Sequence, residues 1–153
     1  MKALVVYDSI FGNTEQIARA IAGVLSAQCL SAGAVSLVQL GESDLIVMGS
    51  PTRGFAATPA LMSLLEAIPS GALAGKKVAA FDTRLLMTGI KGLLFKNLID
   101  KGGYAAPIIA ETLQSRGAAL ALPAEGFFVK GEQGPLVNGE VTRAEEWAGK
   151  LLI

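Results

Sequence analysis

Apolar residues in this chain come as short unbroken runs that alternate with stretches at helical spacing, and that alternation sets the expected elements. The opening Met1-Lys2-Ala3-Leu4-Val5-Val6 is a run of the kind that forms a strand buried on both faces. Past the turn at 7–16, Ile17, Ala20, Ile21, Val24 and Leu25 recur at i, i+3, i+4, i+7 and i+8, which predicts one apolar helix stripe. Asn13 is the expected N-cap, with Gln16 three residues on to complete a capping box. The run at 45–48 predicts another strand, extending to Ser50. Residues 34–40 (AVSLVQL) also have strand propensity, but 41–44 is too short for a parallel crossover. Either these two runs form a hairpin, or the weaker stretch 27–32 is the second strand and 35–40 is a short helical or irregular crossover. The second option keeps the sheet parallel and the connections right-handed, and is the expectation adopted.

The same reading continues downstream. Thr58 predicts an N-cap and Pro59 the first helical position, with Leu61, Leu64, Leu65 and Ile68 as the stripe; Pro69 and Gly71 end it. Residues 77–81 predict the fourth strand, leading into Asp82-Thr83-Arg84. The apolar segment 85–101 exceeds what a minimal α/β unit requires. It reads as extra core or a lid, as a subunit or partner interface (a homo-oligomer in the first case), or as an interfacial membrane contact. Gly102-Gly103 breaks it, and 107–116 predicts a helix with Ile108, Ile109 and Leu113 inward. Residues 118–122 and 126–130 supply a fifth strand that Pro123 interrupts and so places at an edge. A turn-rich stretch at 131–139 precedes a last helix with Val141, Ala144, Ala148 and Leu151 inward and Trp147 as core packing. The pattern predicts one α/β domain over 1–153, a doubly wound five-stranded parallel sheet with helices on both faces.

Composition narrows the chemistry. Thirteen Lys and Arg balance thirteen Asp and Glu, and no basic cluster suggests nucleic acid. Histidine is absent, which removes histidine bases, Ser-His triads and the usual zinc sites. The one cysteine, Cys29, excludes an internal disulfide and is expected as a small buried residue. Mean hydropathy is +0.51, as suits a sheet covered on both sides. Residues 20–41 carry no charge, but serines, glutamines and glycines argue against a membrane span. The N-terminus enters a strand without a signal-like start, so a soluble cytoplasmic protein is expected.

The turn Ser9-Ile10-Phe11-Gly12-Asn13-Thr14 brings unpaired N–H groups, two hydroxyls and a glycine to a helix start, which is an anion site by construction. Any βα turn needs a glycine and a cap, so by itself it discriminates weakly. No G-x-G-x-x-G is present, and 71–77 fails the P-loop spacing, so neither a Rossmann dinucleotide nor a nucleoside triphosphate is expected.

Taken with Gly49-Ser50-Pro51-Thr52-Arg53-Gly54-Phe55, the turn resembles the flavodoxin-like family of FMN-binding proteins. That family carries S/T-x-T-G-x-T after its first strand; Ser9, Gly12 and Thr14 match, and Phe11 replaces the central threonine. An aromatic there is similar to the flavodoxin-like NAD(P)H:quinone oxidoreductases, whose G-T-P-T-R resembles residues 49–53. They continue with Phe-Gly where this chain has Gly54-Phe55. The resemblance implies strand order 2-1-3-4-5, with both loops flanking one crevice at the topological switch point. It implies an FMN phosphate held by Ser9, Ile10, Phe11, Gly12, Asn13 and Thr14. The flavin ring would meet Pro51, Thr52, Arg53, Gly54 and Phe55, with Arg53 as a cation beside it favouring its anionic reduced form. Asp82, Thr83 and Arg84 should border the same crevice, unless Asp82 and Arg84 pair as a structural bridge. The implied functions are electron transfer to a redox partner, or NAD(P)H-dependent reduction of a small acceptor such as a quinone. The lack of a third-loop aromatic also fits a flavin-free descendant used for binding or regulation.

Overall fold

The computed structural model describes residues 1–86 and 103–153. The chain runs β1 (Ala3–Tyr7), α1 (Asn13–Leu25), β2 (Gln28–Ser31), α2 (Leu37–Gly41), β3 (Leu45–Pro51), α3 (Pro59–Ala67) and β4 (Lys77–Leu85). It resumes with α4 (Ala105–Ser115), β5 (Ala119–Leu120), β6 (Glu125–Val129) and α5 (Glu140–Lys150). The sheet order is β2-β1-β3-β4-β5, with β6 also on β4, and every one of these pairings is parallel. The expected fifth strand is thus two pieces on one neighbour, parted where Pro123 cannot donate to a ladder.

Strand periodicity sends alternate residues to opposite layers. Leu4, Val6, Ile46, Met48, Val78 and Ala80 pack on one side with Leu61 and Leu65 of α3 and Ile109 and Leu113 of α4. Val5, Val47, Ala79 and Phe81 pack on the other with Ile17 and Ile21 of α1 and Ala144 and Trp147 of α5. Because both faces are covered, the strands read as unbroken apolar runs, as the sequence suggested. Phe81, Phe127 and Trp147 form an edge-to-face triangle, with centroids 6.2, 6.4 and 6.1 Å apart. Trp147 is core, as expected.

The crossover between β2 and β3 is helical, and Ser36 starts it with a full capping box. Its hydroxyl accepts from Gln39 N–H at 3.1 Å, and Gln39 Oε1 accepts from Ser36 N–H at 2.8 Å. Thr58 caps α3 as expected, accepting from Leu61 N–H with Pro59 at the first position.

Several expectations need correction. Gly12, not Asn13, occupies the N-cap of α1; its φ of +92° lies in the left-handed region, and the N-cap residue makes no side-chain capping bond. Asn13 is the first helical residue, and its side-chain amide instead donates to Gln133 O at 3.2 Å. β4 does not stop at Phe81 but runs to Leu85, because β3 pairs with it as far as Pro51↔Thr83 and β6 from Phe81↔Glu125 to Leu85↔Val129. Asp82, Thr83 and Arg84 are therefore strand residues. Val141 is exposed, and Trp147 and Glu140 take buried positions on α5 instead. Cys29 lies only half-buried, on the edge strand β2. Most of the apolar segment expected at 85–101 lies outside the described residues.

Candidate functional site

β1 and β3 are neighbours, so the turns that leave their carboxyl ends emerge side by side, and Asp8 N–H ties them by donating to Gly49 O at 3.1 Å. In the first turn, Ser9 Oγ accepts from Gly12 N–H at 3.1 Å and from Glu15 N–H at 3.4 Å, which holds the turn over the start of α1. Thr14 is buried and shares a 2.8 Å hydroxyl contact with Thr83 of β4. The backbone N–H groups of Ile10, Phe11, Asn13 and Thr14 meet no acceptor among the described residues. Asn13 and Thr14 are buried as whole residues, and N–H groups left unpaired there are costly unless a ligand or water meets them.

The second turn follows β3. Thr52 N–H donates to Thr83 O at 2.9 Å, and Ser50 Oγ accepts from Thr58 N–H at 3.0 Å. Arg53 and Ala56 exchange backbone hydrogen bonds at 2.8 and 3.0 Å around Gly54 and Phe55, at φ +55° and +65°. Two central residues at positive φ make this a type I′-like corner, in which a bulky residue such as Phe55 is under backbone strain. Arg53 leaves this corner to lie over the Phe11 ring, 5.7 Å from its centroid, and its Nη2 stands 3.2 Å from a carboxylate oxygen of Glu132.

Asp82 and Arg84 form the pair that the sequence left open. Arg84 donates from Nε and Nη2 to the two carboxylate oxygens at 2.7 and 2.8 Å, and its guanidinium stacks 3.5 Å from the Tyr104 centroid. A side chain at Gly126 would run into that guanidinium, so the strand beside β4 carries glycine there. Asp82 is fully buried and also accepts from Ala106 N–H at 2.9 Å, while Thr52 Oγ1 accepts from Ala105 N–H at 3.0 Å. The first turn of α4, which has no side-chain cap at Tyr104, is thus capped from β4 and from the turn after β3. Burial pushes the Asp82 carboxyl upward, with Arg84 and the Ala106 N–H pulling against it.

These parts enclose an open cleft of about 570 Å³. Ser9, Ile10, Phe11, Asn13 and Thr14 line it from the first turn, Pro51, Thr52, Arg53 and Gly54 from the second, and Thr83 and Arg84 from β4. Gly12, Phe55 and Asp82 stand outside the lining: Gly12 shapes the turn, Phe55 is half exposed beside it, and Asp82 lies buried behind Arg84. Leu85, the first residue of the segment read as extra core or a lid, also lines the cleft; Val129 and Glu132 line it too and carried no sequence signal, since β6 and the turn after it reach the cleft only through the pairing of β6 with β4.

The profile of the family described as "Flavodoxin domain" matches residues 4–118, most of the chain. The chain belongs to the flavodoxin family. Flavodoxin 2 from Bacillus cereus is 25% identical, with a TM-score of 0.77 over 99% of this chain and 98% of that one. A flavodoxin from the domain Archaea is 24% identical (TM-score 0.72; 99% and 96% covered). A flavodoxin, WrbA-like protein from Agrobacterium tumefaciens is 18% identical (TM-score 0.74; 98% and 94% covered). No curated protein sequence matches the chain.

FMN is the cofactor of the flavodoxin family, and the donor set here fits its two ends. A cluster of neutral N–H donors with the positive end of α1 behind it suits a phosphate without a lysine. A cleft of this volume lies within the range of small-ligand sites, and its walls mix apolar side chains with hydroxyls and charged groups. Among the described residues no helix is long and apolar enough to cross a membrane, and no cluster of three His, Cys, Asp or Glu could hold a metal.

Proposed function

We propose that this flavodoxin-family chain binds FMN non-covalently in the cleft between its β1 and β3 turns and passes electrons. The observation that carries this is the set of N–H groups on Ile10, Phe11, Asn13 and Thr14, without partners inside a cleft of cofactor size. Those groups and the Ser9 and Thr14 hydroxyls would hold the phosphate, each charge-assisted bond contributing about 1.5–3 kcal/mol. The backbone of Thr52, Arg53 and Gly54 would orient the ring, fixed through Thr52 to β4 and to α4. Thr83 would act by locking Thr14, and Asp82 by fixing Arg84. Bound FMN supplies the one- and two-electron chemistry; the protein supplies position and electrostatics.

The finer reading is NAD(P)H-dependent reduction of a small acceptor such as a quinone. It is favoured by the side chains near the open cleft, where Ile10, Phe11, Phe55, Leu85 and Leu86 are each 41–49% exposed. A zero net charge is a poor basis for docking a carrier through a strong field. Micromolar titration of the purified protein into FMN tests the first step: fluorescence quenching is expected, and its absence would leave only a flavin-free binding domain. Oxidation of NAD(P)H with a quinone then tests the second, since no turnover would leave the carrier function.

A further inference from the structure

The turn that would receive the phosphate contains no cation, and Phe11 stands where the family pattern has a third hydroxyl. Arg53 comes from a different loop, yet its guanidinium is seated over the Phe11 ring, and both side chains line the cleft that Ser9, Asn13 and Thr14 of the turn also line. Arg84, the other cation lining the cleft among the described residues, is already bound through two nitrogens to buried Asp82. Glu132 is the one carboxylate lining the cleft among those residues, and it stands 3.2 Å from Arg53. At 72% side-chain exposure for Glu132 and 38% for Arg53, this is a surface ion pair, weak and easily exchanged.

We propose that Arg53 and Glu132 set the preference of the cleft for a phosphorylated ligand, with Phe11 holding the guanidinium at the phosphate turn and Glu132 competing for it. A dianionic phosphomonoester draws Arg53 off Glu132; a neutral analogue of the same ring leaves the pair intact. The ring of Phe11 thereby supplies in charge what the position lacks in hydroxyl, because it anchors a cation from another loop. This rests on the FMN reading above and adds to it the residues that distinguish FMN from riboflavin.

Quenching titrations of FMN and riboflavin, each with the full chain and its Glu132→Gln, Arg53→Gln and double variants, test it. Glu132→Gln is expected to tighten FMN about two- to fivefold, the scale of an exposed ion pair, and to leave riboflavin unchanged. Arg53→Gln should weaken FMN about ten times more than it changes riboflavin, and adding Glu132→Gln to it should give little further change. Equal shifts for both ligands, no shift at all, or the same gain from Glu132→Gln in both backgrounds would overturn the competition while leaving FMN binding intact. Failure of the unaltered chain to bind FMN would overturn this proposal and the reading beneath it together.

Discussion

Replacing Gly12 by alanine separates the shape of the phosphate turn from the packing around it. A Cβ at this position would meet no atom within 4 Å, so the whole cost is backbone. At φ +92° an L-residue is disfavoured by about 1–2 kcal/mol, and relief requires the peptide planes on either side to turn. A 153-residue domain with ordinary stability tolerates that loss, which corresponds to a Tm lowered by about 2–8 °C. The ligand suffers more. Rotation of the turn re-aims the N–H groups around Gly12, and each bond lost to a dianion costs about 1.5–3 kcal/mol, or tenfold and upward in Kd. Trp147, the only tryptophan and buried in the core, reports unfolding in urea, and FMN quenching reports binding. Gly12→Asn is the control, since asparagine tolerates positive φ and should recover much of the stability. An alanine variant that loses the expected stability but binds FMN as tightly as before would show that the phosphate does not sit at this turn.

Other expectations follow from the same geometry. Asp82→Asn breaks a buried pair and leaves the Arg84 charge uncompensated, so urea unfolding should show a loss of about 3–5 kcal/mol; a loss under 1 kcal/mol would contradict the pairing. Phe55→Gly removes a bulky residue from φ +65° and should stabilise by about 0.5–1 kcal/mol, after allowing for the entropy of glycine; destabilisation would mean that the ring's contacts outweigh the strain. Glu140 is held below the usual carboxylate range chiefly by its hydrogen bonds to Arg143, with the Phe128 N–H assisting against burial. A lowered folded pKa gives stability that is complete above the unfolded value and is lost as pH falls through the folded one. Glu140→Gln should therefore cost about 1.5 kcal/mol at pH 7 and progressively less as the solution is acidified below pH 4.5, and a cost independent of pH would refute this.

The layered sheet was legible because burial on both faces leaves plain runs such as 45–48, and because Thr58-Pro59 announces a helix chemically. The second strand was found through crossover length rather than propensity, since 27–32 is weaker than 34–40. Elsewhere local signals misled for physical reasons. Asn13 looks like a cap, yet the turn needs positive φ at the capping position, which glycine meets without strain. Residues 82–84 look like a loop, yet the late return of β6 extends the ladder through them. The two cleft turns were readable as motifs. Glu132, the Thr14–Thr83 hydroxyl contact and the stacking of Tyr104 on Arg84 were not, because each depends on partners far away in sequence.

The way α4 begins has a consequence for observing the cleft. Its first two amides, at Ala105 and Ala106, are tethered to Thr52 and Asp82, more than twenty residues upstream. The first proton is therefore a remote sensor of the second turn, and the second of the buried carboxylate on β4. Stiffening of the turn slows exchange of the Ala105 proton with deuterium, on a helix that lines no part of the cavity, and loosening speeds it.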